Sequence, residues 1–112
     1  RDNLEVRDHF RERYTHVLVD EAQDTDPIQA EISCYLASQE ADLSVTDWKA
    51  LSLKPGKLFV VGDPKQSIYR FRRADIDALS TVQSLLVAES TRLVQNFRST
   101  PNIIRWIFFS IT

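Results

Sequence analysis

The chain has 112 residues, of which 43% are hydrophobic and 27% charged, and its net charge is −2. That length suits one domain or part of one and falls short of a complete nucleotide-driven motor. The slightly negative balance excludes bulk electrostatic attraction to nucleic acid, so any DNA contact has to come from a local patch.

Residues from Asn3 to Tyr14 are charged and helix-compatible, with Leu4, Val6 and Phe10 as a thin apolar stripe, and they feed a first strand from His16 to Asp20. Asp26-Pro27-Ile28-Gln29 reads as a helix start, with Asp26 as cap, Pro27 in the first turn and Gln29 closing a capping box. Ile28, Ile32, Tyr35 and Leu36 fall on one side of that helix, which predicts an apolar face there and an end near Ser38. The polar stretch from Ser38 to Lys57 predicts a long connection with one helical turn around Thr46 to Leu51, and Trp48 tucked back onto the domain. Leu58-Phe59-Val60-Val61-Gly62 predicts a second buried strand, and the span between the strands suits a right-handed crossover joining parallel neighbours. Ile76, Leu79, Val82 and Leu86 predict an amphipathic helix, and Arg92 to Gln95 a short further strand. Pro101 then opens a strongly apolar helix through Ile103, Ile104, Trp106, Ile107, Phe108 and Phe109, which needs a protein surface to cover it. The expected fold is α/β, with a parallel sheet of about three strands flanked by helices.

Three stretches carry chemistry. Val17-Leu18-Val19-Asp20-Glu21-Ala22-Gln23-Asp24 is an apolar β-run that ends in adjacent carboxylates, at the strand end where open α/β sheets bind ligands. Asp20 could hold Mg²⁺ there while Glu21 polarises an attacking water; the same pattern also suits a solvated turn before a helix. Gly62-Asp63-Pro64-Lys65-Gln66-Ser67-Ile68-Tyr69-Arg70-Phe71-Arg72-Arg73 comes after the second strand, and from Lys65 to Arg73 it holds four basic residues and no acid. Tyr69 and Phe71 interleave with Arg70, Arg72 and Arg73, the mixture of phosphate neutralisation and stacking surface used on single strands. Gln66 lies close enough to the strand end for its amide to reach a terminal phosphate; the alternative is that the aromatics are core and the arginines a solvated face. Val94-Gln95-Asn96-Phe97-Arg98-Ser99-Thr100-Pro101 puts an arginine just before a helix start, where its fork can meet a phosphate; the alternative is a surface charge, the commoner role of an arginine so placed.

Together these stretches resemble the UvrD/Rep family of superfamily 1 DNA helicases, and more closely its helicase–nuclease branch of AddA and RecB type. Val19 to Asp24 is similar to that family's motif II, Gly62 to Arg72 to motif III, and Gln95 to Thr100 to motif IV, in the same order and spacing. The resemblance implies a partial RecA-like P-loop NTPase fold, with residues 1–95 as the later half of the first lobe and 96–112 as motif IV and the crossing into a second lobe. It implies ATP and Mg²⁺ as cofactors, Asp20 as the metal ligand, Glu21 as catalytic base and Arg98 as arginine finger. Gln23 and Gln66 would sense the γ-phosphate, Phe97 would stack on adenine where many relatives carry tyrosine, and Tyr69, Arg70, Phe71, Arg72 and Arg73 would lie along single-stranded DNA. Arg73 departs from the family pattern, standing where many relatives have glycine.

What is missing also matters. The only glycines are Gly56 and Gly62, so no G-x-x-x-x-G-K-S/T phosphate loop is present, and motifs V and VI are absent as well. The expectation is therefore a slice of an ATP-dependent 3′-to-5′ helicase motor for recombination or repair that hydrolyses no ATP alone and works with single-stranded DNA, the remainder of the motor, and a nuclease domain or partner subunit. Two rival readings are a metal-dependent nuclease or phosphatase built on Asp20, Glu21 and Asp63, and a non-catalytic DNA-binding module derived from a motor. Cys34 alone forms no internal disulfide, Arg1 to Val6 lacks the apolar core of a signal peptide, and no apolar run is long enough to span a bilayer. A cytoplasmic location without membrane contact is expected.

Overall fold

The computed structural model describes residues 2–66, 76–86, 91–95 and 97–111. In chain order these form α1 (Leu4–Arg13), β1 (Val17–Val19), α2 (Pro27–Ala37), β2 (Leu58–Val60), α3 (Ile76–Leu85) and α4 (Pro101–Ile111), with single 3-10 turns between several of them. The two strands pair in parallel, Val17 opposite Leu58, Leu18 opposite Phe59 and Val19 opposite Val60. This mixed helix and parallel-sheet arrangement agrees with the α/β expectation.

Local signals set the helix ends. Asp26 accepts from the Ile28 amide at 2.8 Å while Gln29 Oε1 accepts from the Asp26 amide at 3.3 Å, so the capping box closes from both sides and α2 ends at Ala37, against Ser38. Asn3 caps α1 in the same manner, accepting from Val6 N at 3.1 Å. Between α2 and β2 the chain makes 3-10 turns at Glu40–Asp42 and Trp48–Ala50, and Trp48 packs against the core as its size demands.

The buried faces differ from the expected ones. On α2, Ile28 and Ile32 are exposed, and the face against the sheet is Ala30, Cys34 and Ala37 beside Tyr35. Small side chains let the helix lie close to β1 and β2, where larger ones would hold it off. Cys34 is fully enclosed, and burial pushes its thiol up to about 12, so it stays protonated and packs as a small apolar group. On α1 the stripe Leu4, Val6 and Phe10 faces solvent while Arg7 and Arg11 are buried. Arg7 donates to the carbonyls of Val45 at 2.6 Å and Asp42 at 2.9 Å, and its guanidinium lies 4.2 Å from the Tyr35 ring centre. Five donors and a long apolar stem let arginine tie α1 to the connection, which a leucine could not do. Lys57 is buried beside it, its ammonium donating to the Arg11 carbonyl; burial holds it below the ordinary lysine value, and the like charges of Arg11 and Lys54 add to that.

Two expectations about the sheet need correction. The strands are not buried on both faces: Leu58 and Val60 turn toward α2 and α3, where Ala78, Leu79 and Val82 complete the core, whereas the register partners Leu18 and Phe59 are 73% and 62% exposed. Successive strand residues point to opposite sides, and the helices cover only one of them. The strand expected at Arg92 to Gln95 is not formed; among the described residues the sheet has two strands, and Leu93 and Val94 stand 90% and 84% exposed. A strand exists only where a neighbouring backbone supplies its hydrogen bonds, and neither β1 nor β2 does so here. α4 forms as expected from Pro101, with Trp106 70% exposed. Among the described residues no helix is long and apolar enough to cross a membrane.

Candidate nucleotide site at the strand ends

Both strands run in the same direction, so their carboxyl ends lie side by side and deliver the two acidic segments to one place. The pairing continues past the strands: Val61 N donates to Val19 O at 2.8 Å, and Ala22 N donates to Val61 O at 3.0 Å. Asp20 and Glu21 leave β1 at this point and are exposed. Asp20 Oδ1 accepts from the Glu21 amide at 2.8 Å, which fixes its carboxylate at the strand end.

Glu21 adopts φ 50° and ψ 43°, the left-handed region, and is the one described residue other than glycine with positive φ. That conformation carries a cost for a residue with a Cβ and persists only where its surroundings enforce it. Here the Asp20 carboxylate holds the Glu21 amide, the Ala22 amide is tied to β2, and Asp24 N donates to Glu21 O at 2.9 Å in the next turn. In this conformation the Glu21 carboxylate meets the side-chain amide of Gln23, two residues on.

Gln23 makes the connection between the segments. It is 2% exposed; its Nε2 donates to Glu21 Oε2 at 2.5 Å, and its Oε1 accepts from Asp63 N at 3.0 Å. Gly62 permits this, because a Cβ there would stand 2.9 Å from Gln23 Oε1 and 3.1 Å from Ala22. Asp63 in turn accepts from Lys65 N through Oδ1 and from Gln66 Nε2 through Oδ2, each at 3.0 Å, closing the 3-10 turn Pro64–Gln66. These two bonds, first that of the Lys65 amide and then that of the Gln66 side chain, hold the Asp63 carboxyl below its ordinary value, helped by the charges of Lys65 and Arg92. Arg92 thus lies within electrostatic reach of the turn even though its segment forms no strand.

This depression makes the turn sensitive to pH. Because the native value of Asp63 is lowered, its bonds to the turn contribute fully above the ordinary carboxylate value of 3.8 and are lost as pH falls through the lowered native value. An NMR titration of the Lys65 amide and the Gln66 side-chain amide should place the midpoint below the ordinary value. A midpoint at or above it means that the turn is not held this way.

Of the residues singled out in the sequence, the fold brings together Asp20, Glu21, Gln23, Asp63 and Gln66. Phe97 is 85% exposed and Arg98 is also exposed, both on the stretch leading into α4. Tyr69, Arg70, Phe71, Arg72 and Arg73 lie outside the described residues. Gln23, which the resemblance places among the phosphate contacts, is 2% exposed, gives an Nε2 hydrogen to Glu21 and takes the Asp63 amide at Oε1. Its bridging geometry was not legible beforehand, although a glycine directly after a strand, facing an acidic motif, is the signal of a close approach.

Asp20 suits a magnesium ion that arrives with a nucleotide. Such an ion keeps several waters and takes one or two carboxylates plus phosphate oxygens, and Asp20 offers an exposed carboxylate anchored through one oxygen. A metal cage made by protein alone is not present: among the described residues no group of three or more His, Cys, Asp or Glu side chains could hold an ion. Asp20, Glu21 and Asp63 do not form such a group, and each Asp63 oxygen accepts a bond within its own turn.

Comparison with known proteins identifies the family. Residues 1–86 match the model of the UvrD/REP helicase N-terminal domain. The chain is 40% identical over 101 residues to ATP-dependent DNA helicase UvrD1 of Mycobacterium leprae, covering 89% of this chain and 12% of that protein. It is 38% identical over 100 residues to DNA helicase II of Escherichia coli, covering 88% and 12%. It is also 39% identical over 102 residues to the RecB polypeptide of the RecBCD enzyme of Chlamydia pneumoniae, covering 88% and 8%. The chain therefore spans 12% or less of the length of these relatives.

Proposed function

The chain belongs to the UvrD/REP helicase N-terminal domain family, and on that premise we propose that it is the segment of an ATP-dependent DNA helicase motor that carries the water-activating and phosphate-sensing groups. The observation that supports this most is the bonded chain from Glu21 through Gln23 and Asp63 to Gln66, built across the carboxyl ends of two parallel strands. An acidic pair beside a polar amide at such a place suits hydrolysis of a phosphoanhydride.

In this reading Asp20 holds Mg²⁺, which when bound neutralises charge on the phosphate oxygens. Glu21 orients the attacking water and accepts its proton, and the Gln66 amide donates to a terminal phosphate oxygen. Arg98 places its guanidinium fork on the transferring phosphoryl group, and Phe97 stacks on the base. Tyr69, Arg70, Phe71, Arg72 and Arg73, shortly after Gln66 in sequence, grip single-stranded DNA by stacking and phosphate neutralisation, so one segment responds to the nucleotide and holds the strand. With no glycine-rich phosphate loop, the 112 residues alone hydrolyse no ATP.

The test uses the intact protein that carries this chain. It should hydrolyse ATP faster with single-stranded DNA and displace a strand from a 3′-tailed duplex but not from a 5′-tailed one. Unwinding from the 5′ tail alone would overturn the polarity. Cleavage of DNA in Mg²⁺ without nucleotide, together with no ATP turnover, would favour the nuclease reading over the motor.

A further inference from the structure

We infer that Gln23 is a positioning residue that aims the Glu21 carboxylate from the Asp63 turn, and not a contact to the nucleotide; this deepens the hydrolytic reading above and rests on it. The Gln23 amide has only one productive orientation. Asp63 N–H can only donate, so it takes the carbonyl oxygen Oε1, and Nε2 is thereby obliged to face Glu21, whose carboxylate accepts. Burial to 2% exposure leaves no water to replace either bond, and the space for the amide exists because Gly62 has no Cβ.

The consequence falls on Glu21. Its backbone is in the left-handed region, and its Oε2 accepts from Gln23 Nε2. The carboxylate is thereby held in one orientation and keeps acceptor capacity for a water. Asp63 is fixed to Gln66 by the turn, so a shift of Gln66 on meeting a phosphate is transmitted through Asp63 and Gln23 to the carboxylate. The Gln23–Asp63 bond joins residues 40 apart in sequence and brings the two segments into one unit.

The experiment compares two substitutions in the intact protein, with Glu21→Gln alongside. Gln23→Glu keeps the length and the acceptor for Asp63 N but sets a carboxylate against Glu21. Gln23→Met keeps the bulk and removes both bonds, and it serves if the first variant does not fold. A misaimed catalytic group costs about 10²-fold in kcat, and we expect that loss with the KM for ATP within about twofold of the wild type. Wild-type kcat in a folded Gln23 variant overturns the inference, as does a rise in KM of about tenfold or more, which would make Gln23 a nucleotide contact. If Glu21→Gln loses turnover in either case, the hydrolytic reading stands by itself. Undiminished turnover in Glu21→Gln removes that reading and this inference together.

Discussion

Glu21→Gln in the intact protein should lower ATP turnover by about 10²- to 10⁴-fold, the range spanned by a positioned general base, and should leave ATP binding in place. The substitution is close to isosteric, and the new amide oxygen can still accept from Gln23 Nε2, which lies 2.5 Å from Glu21 Oε2 in the native chain. The left-handed backbone at this position and the amide bonds around it do not depend on the carboxylate charge. On the proposed reading, the group lost is the one that would take the proton of the attacking water. Binding is measured by equilibrium titration with a fluorescent ATP analogue and turnover by phosphate release. Loss of binding in parallel with turnover would mean that Glu21 supports the site and does not act in the chemical step, and retained turnover would remove it from the mechanism.

Arg98→Ala should cost about 10³-fold or more in kcat if its guanidinium stabilises the transferring phosphoryl group, the effect typical of an arginine finger. Arg98 stands exposed just before α4. An exposed arginine on a connecting segment can be carried to a phosphate by a change in the packing of the adjoining helix, and α4 presents Trp106 and Phe109 for such packing. Arg98→Lys keeps the charge and loses the planar fork, so it should recover only a small part of the activity. A decrease of only a few-fold in Arg98→Ala would identify Arg98 as a surface charge, and full recovery in Arg98→Lys would reduce its role to a point charge.

Both predictions concern residues that local pattern singled out and to which the family resemblance gave a role. The apolar run Val17-Leu18-Val19 before Asp20-Glu21, and Leu58-Phe59-Val60 before Gly62-Asp63, identify two strands and the acidic segment at the end of each. Asp26, Pro27 and Gln29 fix the start of α2, Leu79 and Val82 mark the buried side of α3, and Pro101 opens α4. These features depend on side chains within a turn or two of one another, so the chain needs no distant partner to display them.

The tertiary structure decided the rest, because it depends on what meets what across the chain. The sequence by itself determined where the helices and two of the strands lie and which residues have the chemistry for a phosphate site. Only packing determined that Arg7 and Arg11 are buried while Leu4, Val6 and Phe10 are not, since the carbonyls of Asp42 and Val45 that receive Arg7 come from a distant connection. Only packing left Leu18 and Phe59 uncovered and 92–95 without a strand partner, for a β-run pairs or stays single according to the backbone beside it. The same holds at the site. Gln23 is one residue from Asp24 and two from Glu21 in sequence, but its oxygen finds the Asp63 amide only because parallel pairing brings both strand ends together and Gly62 leaves room for it.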